Sequence, residues 1–136
     1  MTDRPYYQNY INGQFVDGGA GRLAVDDPAD GSILAEIALA DAGDIDRAVQ
    51  AAKACHLAGD FAGLRPVQRG RMVRAMGDYL LANLDEIATL LTKEAGKPYW
   101  ESVIEIEGAA RYFEYYGNQA ETVEGRSIPL GADYFD

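Results

Sequence analysis

The sequence predicts an α/β fold in which N-terminal β-hairpins are followed by four helices. Two patterns predict it. Over residues 6–40, short apolar runs alternate with turn residues, whereas from residue 41 the apolar residues recur about every 3.6 positions, the period of a helix. The helical pattern covers residues 41–124, and an extended tail follows over 125–136. A chain of 136 residues has the length of one domain.

The β region is predicted to hold two strand pairs. Asn12-Gly13 lies between two apolar runs, which is the strongest short-range signal for a hairpin. Leu23 to Asp26 and Ile33 to Ala38 form the second pair. The residues between them, from Asp27 to Gly31, are typical of turns.

The first two helices are predicted from their ends and their apolar faces. Asp41 is a favourable N-cap with an acid three residues later, and Pro66 fits the first turn of the second helix. The first helix has one apolar face made of Ile45, Ala48, Val49 and Ala52. The second has an inner stripe made of Val73, Met76 and Leu80.

The third and fourth helices are separated by a strong stop signal. Asp85 is predicted to cap the third helix, which ends at Gly96 and Pro98. Its buried side is predicted to be Ile87, Leu90 and Leu91. The fourth helix is predicted to run from Tyr99 to Val123, with Gly125 as its terminator.

Composition excludes several classes of partner. The formal net charge of −10 opposes binding to nucleic acid or to an anionic membrane. No apolar run approaches the ~20 residues of a membrane helix, and the N-terminus lacks the apolar segment of a secretory signal. Cys55 is the only cysteine, so no intrachain disulfide can form. A single reduced thiol fits a cytoplasmic location.

Candidates for chemistry are few. The loop from Gly18 to Gly21 is the closest approach to a phosphate-binding loop, but no helix follows it directly in the sequence. Cys55 and His56 are neighbours on a helix, where adjacent side chains do not face each other. We therefore expect Cys55 to pack against the core and His56 to face solvent, and we predict no catalytic residue in this chain.

Three side-chain clusters have both a functional and a structural interpretation. A basic cluster could hold a phosphate or a carboxylate, but it is more simply a solvated helix face whose charges pair with acids such as Asp78. The cluster consists of Arg65, Arg69, Arg71 and Arg74. Glu101, Glu105 and Glu107 could suggest a metal site. Glu101 and Glu105 share a helix face, but a hard cation needs more oxygen ligands than these two supply, so solubility is the simpler explanation. An aromatic block indicates either a core helix or a surface for a partner: Tyr112, Phe113, Tyr115 and Tyr116.

Several short segments, in this order and spacing, resemble the start of the aldehyde dehydrogenase superfamily. The resemblance covers the chain from about residue 9. The segments are Tyr10-Ile11-Asn12-Gly13, Asp27-Pro28-Ala29-Asp30-Gly31, Asp44-Ile45-Asp46-Arg47-Ala48-Val49-Gln50-Ala51-Ala52, Arg69-Gly70-Arg71, Glu94-Ala95-Gly96-Lys97-Pro98, Tyr115-Tyr116 and Gly125-Arg126-Ser127-Ile128-Pro129.

The resemblance implies an oxidoreductase that converts an aldehyde to a carboxylic acid with NAD or NADP. In the family a cysteine thiolate attacks the carbonyl, hydride passes to the nicotinamide and a glutamate activates water. The resemblance implies that the catalytic cysteine, the glutamate and the cofactor loop all lie beyond Asp136. The chain is then an incomplete, Rossmann-like cofactor-binding domain whose residues 125–136 lead towards an oligomerisation hairpin. No cofactor-binding residue is assigned to it.

The resemblance also implies a site for Na⁺ or K⁺. Many family members hold such an ion with backbone carbonyls before an N-P or D-P turn and with the acid of an E-x-G-K-P motif. These positions correspond to Val25, Asp26 and Glu94. The alternative is that Glu94 is an acid at a helix end, held near Lys97.

Two functional interpretations remain open. In the first, the chain is inactive alone and acts with the remainder of an aldehyde dehydrogenase polypeptide or its subunits, as a homo-oligomer. In the second, it is a stand-alone, non-catalytic helical module that binds a partner through its aromatic helix.

Overall fold

The computed structural model describes residues 4–127, 129–132 and 134–135. Strands come first and helices follow, as the sequence predicts. The elements are β1 (Tyr6–Tyr7), β2 (Asn9–Ile11), β3 (Gln14–Val16), β4 (Arg22–Asp26), β5 (Ile33–Ala38), α1 (Ala42–Ala58), α2 (Pro66–Ala82), α3 (Leu84–Ala95), α4 (Tyr99–Gln119), β6 (Pro129–Gly131) and β7 (Tyr134–Phe135).

Both predicted strand pairs are confirmed. β2 and β3 form an antiparallel hairpin, and its two central residues have the positive φ of a type I′ turn, 51° at Asn12 and 78° at Gly13. β4 pairs antiparallel with β5. The sequence did not predict β1, which lies parallel to β5 on its other edge. This pairing is non-local, so it leaves no short-range pattern.

The start of α1 is as predicted, but its packing is not. The Asp41 carboxylate accepts the Asp44 N–H at 2.8 Å, and Asp44 accepts the Asp41 N–H in return at 2.9 Å. Gly59 ends the helix in the left-handed conformation. The predicted apolar face does not reach a core, because Ile45 and Val49 remain 58% and 56% exposed.

The junction between α2 and α3 corrects the predicted cap. Asn83, not Asp85, is the N-cap of α3, and its side-chain amide donates back to the Tyr79 carbonyl at 2.8 Å. Asp85 already lies in the first turn, where its carboxylate accepts the Tyr99 hydroxyl at 2.8 Å. The predicted stop at Gly96 is confirmed, with a φ of 69°.

The fourth helix ends earlier than predicted, at Gln119 rather than Val123. Thr122 explains the early end, because its N–H donates to the Gln119 carbonyl at 3.0 Å and its hydroxyl bonds the Gln119 side chain at 2.7 Å. Such local bonds compete with helix continuation. The tail then forms the short antiparallel pair β6–β7. Ile128, part of the predicted tail motif, lies outside the described residues.

Small residues make the helical core. α2 crosses α4 where glycines let the backbones approach, and a Cβ at Gly77 would lie 2.8 Å from the Ala110 carbonyl oxygen. The predicted stripes are therefore only partly correct. Met76 and Leu90 are exposed, whereas Ala88 and Ala110 are buried. Ser102 is fully buried and bonds the Thr92 hydroxyl at 2.9 Å, joining α3 to α4.

Candidate functional site

The predicted cation ligands lie on two elements that meet. Asp26 ends β4 after a register shift, and the turn that follows contains Pro28. Gly96, just after α3, packs so closely on this turn that a Cβ there would lie 2.7 Å from Pro28 Cγ. Glu94 is exposed two residues earlier, and Val25 is half-buried. The fold therefore brings the end of the helix against the turn that follows the strand.

The acidic side chains near this contact have separate partners. Lys97 forms an ion pair with Glu105 at 2.7 Å, and within the described residues no ion pair joins Lys97 to Glu94. Asp30 accepts the Ser32 N–H at 2.8 Å, and the Ser32 hydroxyl and N–H lower the pKa of its carboxyl. Among the described residues, no three His, Cys, Asp or Glu side chains converge on a metal position. Any cation here would depend on backbone carbonyls and one or two carboxylates.

The glycine loop lies against a helix N-terminus after all, although that helix begins some twenty residues later. The Gly19 N–H donates to the Asp44 carboxylate at 2.7 Å, and the Ala20 N–H donates to the Leu39 carbonyl at 3.0 Å. A Cβ at Gly19 would overlap the Asp41 carboxylate. Only glycine therefore allows the loop to lie this close to α1.

Asp44 is the centre of this arrangement, with 1% of its surface exposed. The N–H groups of Gly19 and Asp41 hold the pKa of its carboxyl below the usual range, and Arg47 pairs with it. Two carboxylates thus occupy the positive end of α1. A phosphate would be repelled there, so the residues of this loop do not fit the pyrophosphate of a dinucleotide cofactor.

The cysteine and the histidine lie apart from this site. Both Cys55 and His56 are exposed near the end of α1. The expectation that Cys55 packs against the core is wrong, because the last turns of α1 have no covering element. The expectation that His56 faces solvent is confirmed.

The arginine cluster is divided among structural contacts. Arg69 donates to two carbonyl groups of the loop before α2, and Arg74 donates to an amide oxygen on α4 at 2.8 Å. None of the four arginines forms an ion pair within the described part of the chain, so the predicted pairing with Asp78 is wrong. Arg71 is exposed.

The aromatic block on α4 lies mostly in solvent. Phe113 is half-buried, but Tyr112, Tyr115 and Tyr116 are exposed, so the core-helix interpretation fails for the three tyrosines. Together with Arg111 they line a shallow recess of about 430 Å³. Tyrosine and arginine are enriched where proteins bind partners. This surface fits the interpretation as a partner surface.

Sequence reasoning missed the central role of Asp44. The sequence identified Asp41 as the N-cap and an acid three residues later, but the contact of Asp44 with Gly19 joins residues 25 positions apart. A glycine pair followed by an acid-capped helix was the only available signal. Within the described residues, no helix has the length and apolar character needed to cross a bilayer.

Comparison with known proteins gives a consistent result. The sequence profile of the aldehyde dehydrogenase family matches residues 15–135. Aldehyde dehydrogenase family 2 member B4, mitochondrial, from Arabidopsis thaliana is 36% identical over 129 residues, which are 93% of this chain and 24% of that protein.

Solved structures agree with this match. An NAD-dependent aldehyde dehydrogenase from Sinorhizobium meliloti superposes with a TM-score of 0.90 at 28% identity, covering 97% of this chain and 27% of its own. A putative aldehyde dehydrogenase from Burkholderia cenocepacia gives a TM-score of 0.88 at 32% identity, over 95% of this chain and 26% of its own. The chain spans about a quarter of the length of these relatives.

Proposed function

The chain belongs to the aldehyde dehydrogenase family, with a Rossmann-like α/β fold, and from that membership we propose that it is one part of an enzyme that oxidises an aldehyde to a carboxylic acid with NAD or NADP. The profile match over residues 15–135 carries this proposal. The chain spans only about a quarter of its relatives, so the chemistry belongs to the larger protein.

Alone, the chain contributes scaffold and no catalysis. A nucleophilic cysteine needs a base within hydrogen-bond reach. Cys55 is the only cysteine of the chain, and it lies exposed on α1. The adjacent His56 is a poor base for it, because neighbouring side chains on a helix do not face each other. The one glycine-rich loop is filled by the carboxylates of Asp41 and Asp44.

An activity assay tests both statements. The 136-residue chain is incubated with aliphatic and aromatic aldehydes and either NAD⁺ or NADP⁺, and absorbance of the reduced cofactor is followed. We expect none. A chimera, in which this chain replaces the segment it matches in the Arabidopsis relative, is expected to reduce the cofactor. Cys55→Ser in the chimera serves as the matched control and leaves activity unchanged.

Two results contradict the proposal. Aldehyde-dependent reduction of cofactor by the chain alone would show that catalysis resides within these residues. A chimera that assembles like the Arabidopsis protein but reduces no cofactor would show that this chain does not build such an enzyme. In that case, the stand-alone binding module becomes the better interpretation, because the exposed tyrosines of α4 already offer a surface for a partner.

The cation site extends the same proposal. Na⁺ or K⁺ is bound by the carbonyl oxygens of Val25 and Asp26 together with the carboxylate of Glu94, since hard cations prefer oxygen ligands. The contact of Gly96 with Pro28 supports this by bringing the two elements together. Further ligands come from the larger protein.

Replacing K⁺ by choline at equal ionic strength tests the cation. The melting temperature of the chimera is expected to fall when K⁺ is removed, because a ligand bound only by the folded state stabilises it. Glu94→Gln should abolish this dependence, whereas Glu107→Gln, which removes an exposed acid on α4, should preserve it. An equal K⁺ effect in both variants would exclude Glu94 as a ligand.

The proposal also covers the partners of the chain and its cellular location. The partners are the remainder of the polypeptide and further copies in a homo-oligomer, located in the cytoplasm. The Arabidopsis relative is mitochondrial by name, so fractionation of the source cells decides between the two compartments.

A further inference from the structure

The N-terminal strand β1 has only a short backbone attachment to its sheet. Its two residues, Tyr6 and Tyr7, pair in parallel with Glu36 and Ile37 of β5. Outside this ladder, the Glu36 N–H donates to the Pro5 carbonyl at 3.0 Å. Because parallel pairs are slightly less stable per residue than antiparallel ones, a ladder of this length holds β1 only weakly.

Arg22 connects all three strands of this sheet. It lies on β4, and β5 separates β4 from β1. Its guanidinium carbon lies 3.8 Å from the centre of the Tyr6 ring on β1, and its Nη1 lies 3.1 Å from the Glu36 carboxylate on β5. The Arg22 side chain is 55% exposed. At such exposure, a cation–π contact and an ion pair add only modest stability, so they hold β1 in place without locking it.

Asp17 holds the same strand from the loop that follows β3. Its carboxylate accepts the Tyr6 hydroxyl at 2.9 Å and the Gln8 side-chain amide at 3.0 Å. The Gln8 amide and the Tyr6 hydroxyl lower the pKa of the Asp17 carboxyl, so this group is a charged acceptor at neutral pH. Side chains from two separate parts of the chain therefore meet on Tyr6.

The loop after Asp17 is fixed by bonds that do not involve β1. The Gly19 N–H donates to the Asp44 carboxylate at 2.7 Å, and the Ala20 N–H donates to the Leu39 carbonyl at 3.0 Å. These bonds do not depend on whether β1 is in place. The loop and the β4–β5 pair thus form a fixed seat for the strand.

We propose that residues 5–8 form a strap that closes over the edge of β5 and opens on its own, with Arg22 as the residue that holds it closed. When the strap opens, the backbone of β5 at Glu36 and Ile37 becomes a free edge, while the seat keeps its structure. A free edge of this kind can pair with another strand. The inference does not depend on the proposed function, because it concerns only contacts within this chain.

Hydrogen exchange of the 136-residue chain, followed by NMR, tests the independent opening without any substitution. The Glu36 amide loses its bond to Pro5 when the strap opens, and opening of so few residues exposes little surface. We therefore expect its exchange rate to be nearly independent of urea below the unfolding transition. The Gly19 amide is expected to accelerate with urea, because its exposure needs the seat to unfold. An equal urea dependence of the two amides would overturn the inference.

A charge variant tests the role of Arg22. Arg22→Gln removes the cation from the Tyr6 ring and from the Glu36 carboxylate. We expect the Glu36 amide to exchange about fivefold to tenfold faster, with no change at the Gly19 amide. Arg71→Gln removes the same charge from an exposed position on α2 and should leave both amides unchanged.

A second variant changes the other attachment of the strap. Tyr6→Phe keeps the ring beneath Arg22 but removes the hydroxyl that donates to Asp17, so the Glu36 amide should accelerate less than in Arg22→Gln. An unchanged Glu36 rate in Arg22→Gln would show that Arg22 does not hold the strap. Equal acceleration of the Glu36 and Gly19 amides would show that strap and seat open together. Either result would overturn the inference.

Discussion

Asp44 joins three parts of the chain through one carboxylate. It accepts the N–H of Gly19 from the loop and the N–H of Asp41 from the start of α1, and Arg47 pairs with it one turn later. Three donors around a buried acid offset its desolvation. The carboxylate therefore holds the loop against the helix in the position where, in other folds, an anion binds.

The charge of Asp44 makes this contact sensitive to acid. A carboxyl whose pKa is lowered in the folded state contributes its full stabilisation above the unfolded value of 3.8 and loses it as the pH falls through the folded value. We expect the Gly19 amide resonance to titrate with a midpoint below 3.8. Proton NMR between pH 7 and about pH 2 measures it.

Two variants of similar size identify the titrating group. Asp44→Asn should remove the transition and lower the protection of the Gly19 amide from hydrogen exchange at neutral pH. Asp46→Asn makes the same charge change on an exposed neighbour and should preserve both. A Gly19 titration that survives in Asp44→Asn would assign the transition to another acid.

At the scale of elements, the crossing of α2 and α4 depends on glycine. Gly70 faces Gly117 and Gly77 faces Ala110, so contacts recur every seven residues along an antiparallel pair. A Cβ at Gly117 would lie 2.6 Å from Arg74 Cγ and 2.8 Å from the Gly70 carbonyl oxygen. The two backbones are too close for larger residues at these positions.

Alanine substitutions distinguish packing from helix propensity. Gly77→Ala gains propensity but overlaps the Ala110 carbonyl, and overpacking of this kind costs about 1–3 kcal/mol. Gly108→Ala, on α4 with nothing within 4 Å of its Cβ position, should gain about 0.5–1 kcal/mol. The midpoint of urea unfolding, followed by circular dichroism, should fall for Gly77→Ala and rise for Gly108→Ala. Equal shifts would contradict close packing at Gly77.

The same elements show what the sequence could predict. The hairpin at Asn12, the N-cap at Asp41 and the stop at Gly96 were predicted correctly, because each depends on the conformation of a few adjacent residues. The buried faces of the helices were predicted less well. Periodicity identifies an apolar stripe but not the element that packs against it. The predicted stripe of α1 is present in the sequence, yet Ile45 and Val49 remain exposed in this chain. The β1–β5 pairing and the Gly19–Asp44 bond were beyond prediction because they join distant residues.

At the scale of the whole molecule, the core is small. The buried apolar side chains among the described residues are Ala35, Ala38, Ala88, Ile106 and Ala110. Four of these five are alanines, which release little surface from water. Many large apolar residues of the helices, including Tyr112, Tyr115 and Tyr116 of α4, stay in solvent. Since burial of large side chains supplies about 1.5–3 kcal/mol each, this chain alone lacks the main source of stability of a domain of its length.

We therefore expect the isolated chain to unfold over a broad temperature range and to bind a hydrophobic dye before it does so, as loosely packed states do. Circular dichroism should retain the helical signal at low temperature, because the caps and turns are local. In the chimera the dye should not bind, since the exposed faces would then be covered. Differential scanning calorimetry separates the two functional interpretations. A sharp transition without dye binding would mean that the chain is a self-sufficient module, because only a complete core produces all-or-none unfolding.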